Sequence, residues 1–153
     1  MTDARYRIEV MHGVNLDQLG RRDPLVYGTL TLPELERQIE QDARSLDLST
    51  RFFQTNHEGA FVEHLHSLRD GQVDAILLNP GSWTHYAWAI HDALEIAGLP
   101  ALEIHLSDVE HREPWRRFSV IGELCFATIS GRGPDGYRDA LAQLREHLDR
   151  GDS

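Results

Sequence analysis

Residues Val73 to His85 read VDAILLNPGSWTH. A near-continuous apolar run of six residues, Val73 to Leu78, breaks at Asn79-Pro80-Gly81. A strand apolar on both sides must be covered on both, which calls for a parallel sheet with helices on each face. Asn79, Gly81 and His85 then come after the strand's carboxyl end, where open parallel sheets bind their ligands.

The same unit recurs in both directions along the chain. Tyr6 to Met11 reads as a strand ending at His12-Gly13-Val14-Asn15. Thr31-Leu32-Pro33-Glu34 is a capping box with proline in the first turn. Leu32, Leu35, Ile39, Ala43 and Leu46 continue at helical spacing, which predicts a helix from Pro33 to about Asp47. Thr50 to Gln54 reads as a second strand that breaks into TNHEG, residues 55–59, before a helix bearing Phe61, Leu65 and Leu68. Thr84 stands where it would cap a helix to about Gly98, which puts His85 and Asp92 on one helical face. Pro100 to Leu106 and Glu123 to Ile129 are the remaining strands. Asp135 to about Leu148 is the closing helix, with Tyr137, Leu141, Leu144 and Leu148 inward and a loose tail at 150–153. Strands alternating with helices predict an α/β fold, a flavodoxin-like three-layer sandwich on a five-stranded parallel sheet, in one domain over 1–153.

Composition narrows the partners. The chain of 153 residues is 41% hydrophobic and 26% charged, ordinary for a globular domain. A formal charge of −10 argues against nucleic acid or an anionic membrane as partner. Cys125 is the single cysteine, so no disulfide can close within the chain. The opening MTDARYRIEV has no apolar run of signal-peptide length, and no stretch is long enough to span a membrane. Together these predict a cytoplasmic protein.

Loops at the strand ends gather amides, imidazoles, hydroxyls and glycines: Asn15, Asn79, Gly81, His85, His105, Leu106 and Ser107 among them. No H-E-x-x-H and no paired cysteines mark a metal site. No G-x-G-x-x-G comes after the first strand, and a Walker lysine is impossible in a chain whose 15 basic residues are all arginine. G-x-S-x-G is absent too. Neither metal nor organic cofactor is expected. Proton transfer on a polar, anionic small molecule remains, with His105 as general acid or base. Arg112 and Arg116 lie four apart in HREPWRR and could share a helical face; Arg116 is the candidate carboxylate ligand and Arg112 reads as a solvated surface charge. Leu19 to Gly28, LGRRDPLVYG, holds a guanidinium and a phenol on one loop, and a guanidinium favours the phenolate that proton abstraction needs. Arg21 and Asp23 read as surface charges.

At this point the residues resemble the type II 3-dehydroquinate dehydratases. LGRRDPLVYG is similar to that family's lid motif, and FFQTNHEG, NPGSWTHYAWAIHDAL, EIHLSDVEHRE and GPDGY are similar to its other blocks, in the same order. The resemblance implies dehydration of 3-dehydroquinate to 3-dehydroshikimate through an enolate, a step of the shikimate pathway toward aromatic amino acids, with no cofactor. Carried over by position, Tyr27 is the base, Arg22 holds the tyrosinate, His105 protonates the leaving hydroxyl and Asn15 orients water near the enolate oxygen. Asn79, Gly81, His85 and Arg116 fall among the contacts to substrate, and the Leu106 and Ser107 amides match a carboxylate cradle. Asp92 matches an acid that reaches a neighbouring subunit's site, which implies a trimer-based homo-oligomer, a dodecamer in the family. The family's N-G-P-N turn is His12-Gly13-Val14-Asn15 here, its arginine before the helix aspartate is His91, and Asp108 and Glu110 add carboxylates after His105. These departures leave open elimination on a substituted dehydroquinate, or a binding module without catalysis.

Overall fold

The computed structural model describes residues 3–151. Five parallel strands, β1 Tyr6–His12, β2 Leu48–Gln54, β3 Ala75–Asn79, β4 Ala101–His105 and β5 Ala127–Ser130, form one sheet in the order β2-β1-β3-β4-β5. That order, with helices on both faces, is the flavodoxin-like doubly wound arrangement. The helices are α1 Pro24–Tyr27, α2 Leu32–Ser45, α3 Glu58–Ser67, α4 Trp88–Ala97 and α5 Asp135–Gly151. Helices α2 and α5 pack against one another, as do α3 and α4.

Strand periodicity sorts the apolar side chains into two cores. Ile8, Val10, Ala75, Leu77, Leu102 and Ile104 meet Leu35 and Ile39 of α2 and Leu141 and Leu144 of α5. Met11, Ile76, Leu78 and Ala101 meet Phe61 and Leu65 of α3 and Ile90 and Leu94 of α4. At α2 the capping box closes in both directions, with Glu34 N–H to Thr31 Oγ1 at 3.4 Å and Thr31 N–H to Glu34 Oε1 at 3.0 Å.

Several boundaries differ from the sequence expectation. β3 starts at Ala75 because Asp74 is diverted: its carboxylate accepts from the Arg7 amide at 2.7 Å and its own amide bonds the Arg7 carbonyl at 2.8 Å. Thr84 caps nothing. Residues Gly81–His85 form a 3₁₀ turn, the Thr84 carbonyl accepts from Val120 N–H at 2.8 Å, and α4 begins only at Trp88. His85 and Asp92 are therefore not on one helix, since the 3₁₀ turn carries the first and α4 the second. Glu123 to Cys125 lie in and just after a 3₁₀ turn, leaving β5 short. At the other end α5 continues through Arg150 to Gly151, two residues into the stretch read as a tail; Asp152 and Ser153 lie outside the described residues.

The turns after β1 and β3 interlock. A Cβ on Gly13 would stand 2.2 Å from the Pro80 carbonyl oxygen, and one on Gly81, where φ is +69°, would stand 2.7 Å from the Val14 carbonyl oxygen. Gly13 N–H also donates to the Asn79 carbonyl at 2.8 Å. Both clashes are with backbone, which cannot swing aside. Gly13→Ala should therefore cost on the order of 3 kcal/mol by overpacking and lower the melting temperature by about 10 °C. A differential scanning calorimetry trace superimposing on that of the unmodified chain would show that the turns give way.

Candidate active site

The carboxyl ends of β1, β3 and β4 open into a cleft of about 190 Å³. β1 delivers Asn15, β3 delivers Asn79, Gly81 and His85, and β4 delivers His105, Leu106 and Ser107. The segment before α2 adds Arg22 and Tyr27 from one side, and the 3₁₀ turns after β4 add Arg112, Trp115 and Arg116 from the other.

Arg22 and Tyr27 meet because a single helical turn connects them. Asp23 caps that turn, its carboxylate accepting from Leu25 N–H at 3.0 Å, and Pro24 occupies the first helical position. Asp23, read as a surface charge, thus shapes the turn that joins Arg22 to Tyr27. The Arg22 guanidinium carbon lies 3.8 Å from the centre of the Tyr27 ring, and that of Arg112 lies 5.0 Å away. The phenol oxygen is buried without a protein hydrogen-bond partner. Two guanidiniums thus lie over the ring of one phenol, within cation–π range.

Glu103 and His105 are two residues apart on β4 and so share a face. Both are buried, and the Glu103 carboxylate accepts from His105 Nε2 at 2.5 Å while also accepting the Ser119 hydroxyl at 2.8 Å. A carboxylate accepts only, so the tautomer is set with Nε2–H toward Glu103, and the rest of the imidazole faces the cleft. Beside it, His85 stacks at 6.3 Å from His105 and donates Nδ1–H to the Phe118 carbonyl at 2.6 Å. Its Nε2 is then a hydrogen-bond acceptor. Burial pushes the His85 imidazole below its ordinary 6.5; the Phe118 carbonyl opposes this, and neighbouring His105 and Arg116 reinforce it.

Asn79 is buried, and its Oδ1 accepts from Gly81 N–H at 3.0 Å, which leaves the amide NH₂ to donate. The Leu106 carbonyl accepts from Gly133 N–H and the Ser107 carbonyl from Gly131 N–H, at 3.1 and 3.0 Å. Across the planar peptide, the Ser107 N–H therefore points away from Gly133. Arg116 is paired with Glu113 and lies over Trp115, its guanidinium 4.1 Å from the ring centre. Among the described residues, no three His, Cys, Asp or Glu side chains converge as a metal ion would require.

Every site residue proposed from the sequence lines the cleft except Asp92. Asp92 is exposed on α4, accepting from His91 Nδ1 at 3.0 Å. Sequence reasoning missed Glu103, although E-x-H on a strand signals two side chains on one face. It also misjudged Arg112, which is not a solvated surface charge: it lines the cleft and donates to Ser107 Oγ at 3.2 Å. Arg112 reaches there because the segment after β4 folds back as separate 3₁₀ turns, Val109–His111 and Pro114–Arg117, and not as one helix shared with Arg116.

Comparison with known proteins places this geometry in context. A sequence model described as dehydroquinase class II matches residues 6–145. The 3-dehydroquinate dehydratase of Leptothrix cholodnii is 43% identical over 130 residues, 85% of this chain and 87% of that one. The 3-dehydroquinate dehydratase of Caldicellulosiruptor saccharolyticus is 42% identical over 142 residues, 93% and 98% of the two chains. The crystal structure of type II dehydroquinase from Propionibacterium acnes superimposes with a TM-score of 0.89 at 35% identity, covering 95% of this chain and 99% of that one. A 3-dehydroquinate dehydratase-like protein from Bifidobacterium longum superimposes with a TM-score of 0.70 at 27% identity, covering 94% and 98%.

Because folding buries a neutral His85, the unfolded chain binds more protons as pH falls below 6.5, and stability falls with it. An NMR titration of His85, assigned by its absence in His85→Asn, should show a midpoint below 6.5. A midpoint at or above that value would contradict the desolvated site.

Proposed function

The chain belongs to the class II dehydroquinase family, and on that premise we propose that this cleft dehydrates 3-dehydroquinate to 3-dehydroshikimate through an enolate. One observation carries the proposal: the phenol of Tyr27, with two guanidiniums against its ring, lines the same cleft as a carboxylate-bound imidazole. The reaction removes a C–H proton beside a ketone and expels a hydroxyl, so it needs a base and an acid on different sides of a small ring.

Tyr27, as the phenolate, takes the C2 proton, with Arg22 and Arg112 balancing its charge. Electrons move from the C–H bond into the carbonyl to give an enolate, and Asn15 orients the water or hydroxyl at the enolate oxygen. The enolate then collapses and the C1–O bond breaks, His105 acting as an imidazolium whose Nδ1 proton lets the hydroxyl leave as water. Glu103, bonded to the opposite nitrogen, keeps the ring in orientation. Asn79 donates to and His85 accepts from ring hydroxyls, Gly81 shapes the turn between them, and Arg116 is a further substrate contact. The Leu106 and Ser107 amides cradle the carboxylate. No metal or organic cofactor takes part in this scheme. The substrate places the enzyme in the shikimate pathway, and the single-cysteine chemistry of the chain suits the cytoplasm.

Asp92 fits the scheme through a neighbouring subunit. It sits on α4 with Trp88, which is 54% exposed and 5.8 Å from Phe118, itself 52% exposed. His91, where the family carries arginine, lies between Asp92 and Glu123 at 3.0 and 3.2 Å, and the bond to Asp92 holds its pKa above the ordinary imidazole value. An aromatic, charge-edged face of this kind suits a second copy of the chain, and we assign the assembly as a trimer-based homo-oligomer, a dodecamer by analogy with the family.

Purified protein should convert dehydroquinate to a conjugated enone followed in the near ultraviolet. Tyr27→Phe and Arg22→Ala should each lower turnover by at least about a hundredfold while the circular dichroism spectrum is retained. Full activity in Tyr27→Phe would remove the phenolate from the mechanism. Light scattering on the same sample should give a mass that is a multiple of three chains, and a monomer would sink the role of Asp92.

A further inference from the structure

Asn15 is one of two non-glycine residues among those described with positive φ, at +69°, in a left-handed conformation that asparagine tolerates but does not prefer. Its backbone N–H donates to Asn56 Oδ1 at 2.8 Å. The same oxygen accepts from Gln54 Nε2 at 3.1 Å, and Gln54 Nε2 also reaches the Gly13 carbonyl at 3.2 Å. On its other side, Asn56 Nδ2 donates to Asp17 Oδ2 at 3.1 Å. Neither Asn56, Gln54 nor Asp17 lines the cleft.

These bonds decide the orientation of the Asn56 amide without ambiguity. Asp17 is a carboxylate and only accepts, so Asn56 must turn its NH₂ toward it. Its oxygen is thereby forced toward Asn15, where an N–H waits. Gln54 is fixed in the same way, because both atoms facing its nitrogen are acceptors. Gln54 at the end of β2 and Asn56 just after it thus clamp the turn after β1, holding Gly13 before Asn15 and Asp17 after it.

We propose that Asn56 is a positioning residue for Asn15, with Asp17 setting the direction in which Asn56 faces. The inference rests on the dehydratase reading for the role of Asn15, but the clamp itself does not depend on it. Holding Asn15 in its left-handed conformation fixes where its side chain enters the cleft. Releasing it lets the turn relax and moves the group that orients water at the enolate, an error that small displacements turn into large losses of rate.

The test uses a donor–acceptor swap in the full chain. Asn56→Asp keeps an acceptor for Asn15 but sets two carboxylates against each other at position 17. It should lower kcat by at least about tenfold with KM changed by less than about threefold. Asp17→Asn should be tolerated, since a second amide can present its oxygen to Asn56. Combining the two restores one donor facing one acceptor and should recover kcat to within about threefold of the unmodified enzyme. Should Asn56→Asp fail to fold, Asn56→Ala removes the acceptor without adding charge, with the same loss expected.

A second readout is independent of turnover. Amide hydrogen exchange at Asn15 should speed up on the order of tenfold in Asn56→Ala, at unchanged global stability. Unchanged exchange overturns the clamp, and so does a folded Asn56→Asp with full kcat or a double variant as slow as the single. Faster exchange in a chain whose unmodified form does not turn over dehydroquinate supports the clamp and refutes the dehydratase reading instead.

Discussion

Everything in the cleft depends on how closely two backbone turns approach. Gly13 and Gly81 let the segments after β1 and β3 touch carbonyl to Cα, with no space for a single methyl group. The contact brings Asn15 and the Asn79–His85 turn to opposite margins of one small space. β4 lies on the far side of β3 and ends in His105, which lines the same space with Glu103 behind it. With a side chain at either glycine the strand ends would splay, and functional groups that suit a six-membered ring would stand too far apart.

The electrostatics of the cleft invert those of the chain. A protein of formal charge −10 lines this space with the guanidiniums of Arg22, Arg112 and Arg116, and among the described residues no carboxylate lines it. Glu103 lies one layer behind, engaged by His105 and Ser119. Low-dielectric walls with one sign of charge focus the field on an anion entering from water. Arg116 and Arg112 are themselves held, by Glu113 and by the Ser107 hydroxyl, so the positive charge comes already oriented.

Much of this was legible in the residues. Apolar runs that stop at Asn-Pro-Gly or His-Gly mark strands covered on both sides. The residues just past each stop build the site, because parallel strands all end at the same edge. The misreadings share one cause: 3₁₀ turns and tertiary bonds that local pattern does not encode. Thr84 has the look of a cap, yet its carbonyl is taken by Val120, from a segment distant in sequence, and the helix starts later. Arg112 looks solvated because HREPWRR is polar, but Pro114 divides the segment into two short turns and swings the guanidinium inward. Glu103 sits in an apolar strand, where a carboxylate is tolerated only with partners such as His105 and Ser119, and those are visible only in three dimensions.

The four residues of α1 bear on affinity. A helix of one turn carries the cost of nucleation without the gain of propagation, so α1 is not stable by itself. It persists through the Asp23 cap, the fixed φ of Pro24 and the stacking of Arg22 on Tyr27, while Leu25 is 97% exposed and contributes nothing to burial. Tyr27 is further packed against the core beneath it, so the competent arrangement of the site rests on few contacts, and any loss of this turn would weaken apparent binding accordingly. A ligand that touches Arg22 and Tyr27 adds the missing contacts, so recognition and the ordering of this turn are a single equilibrium.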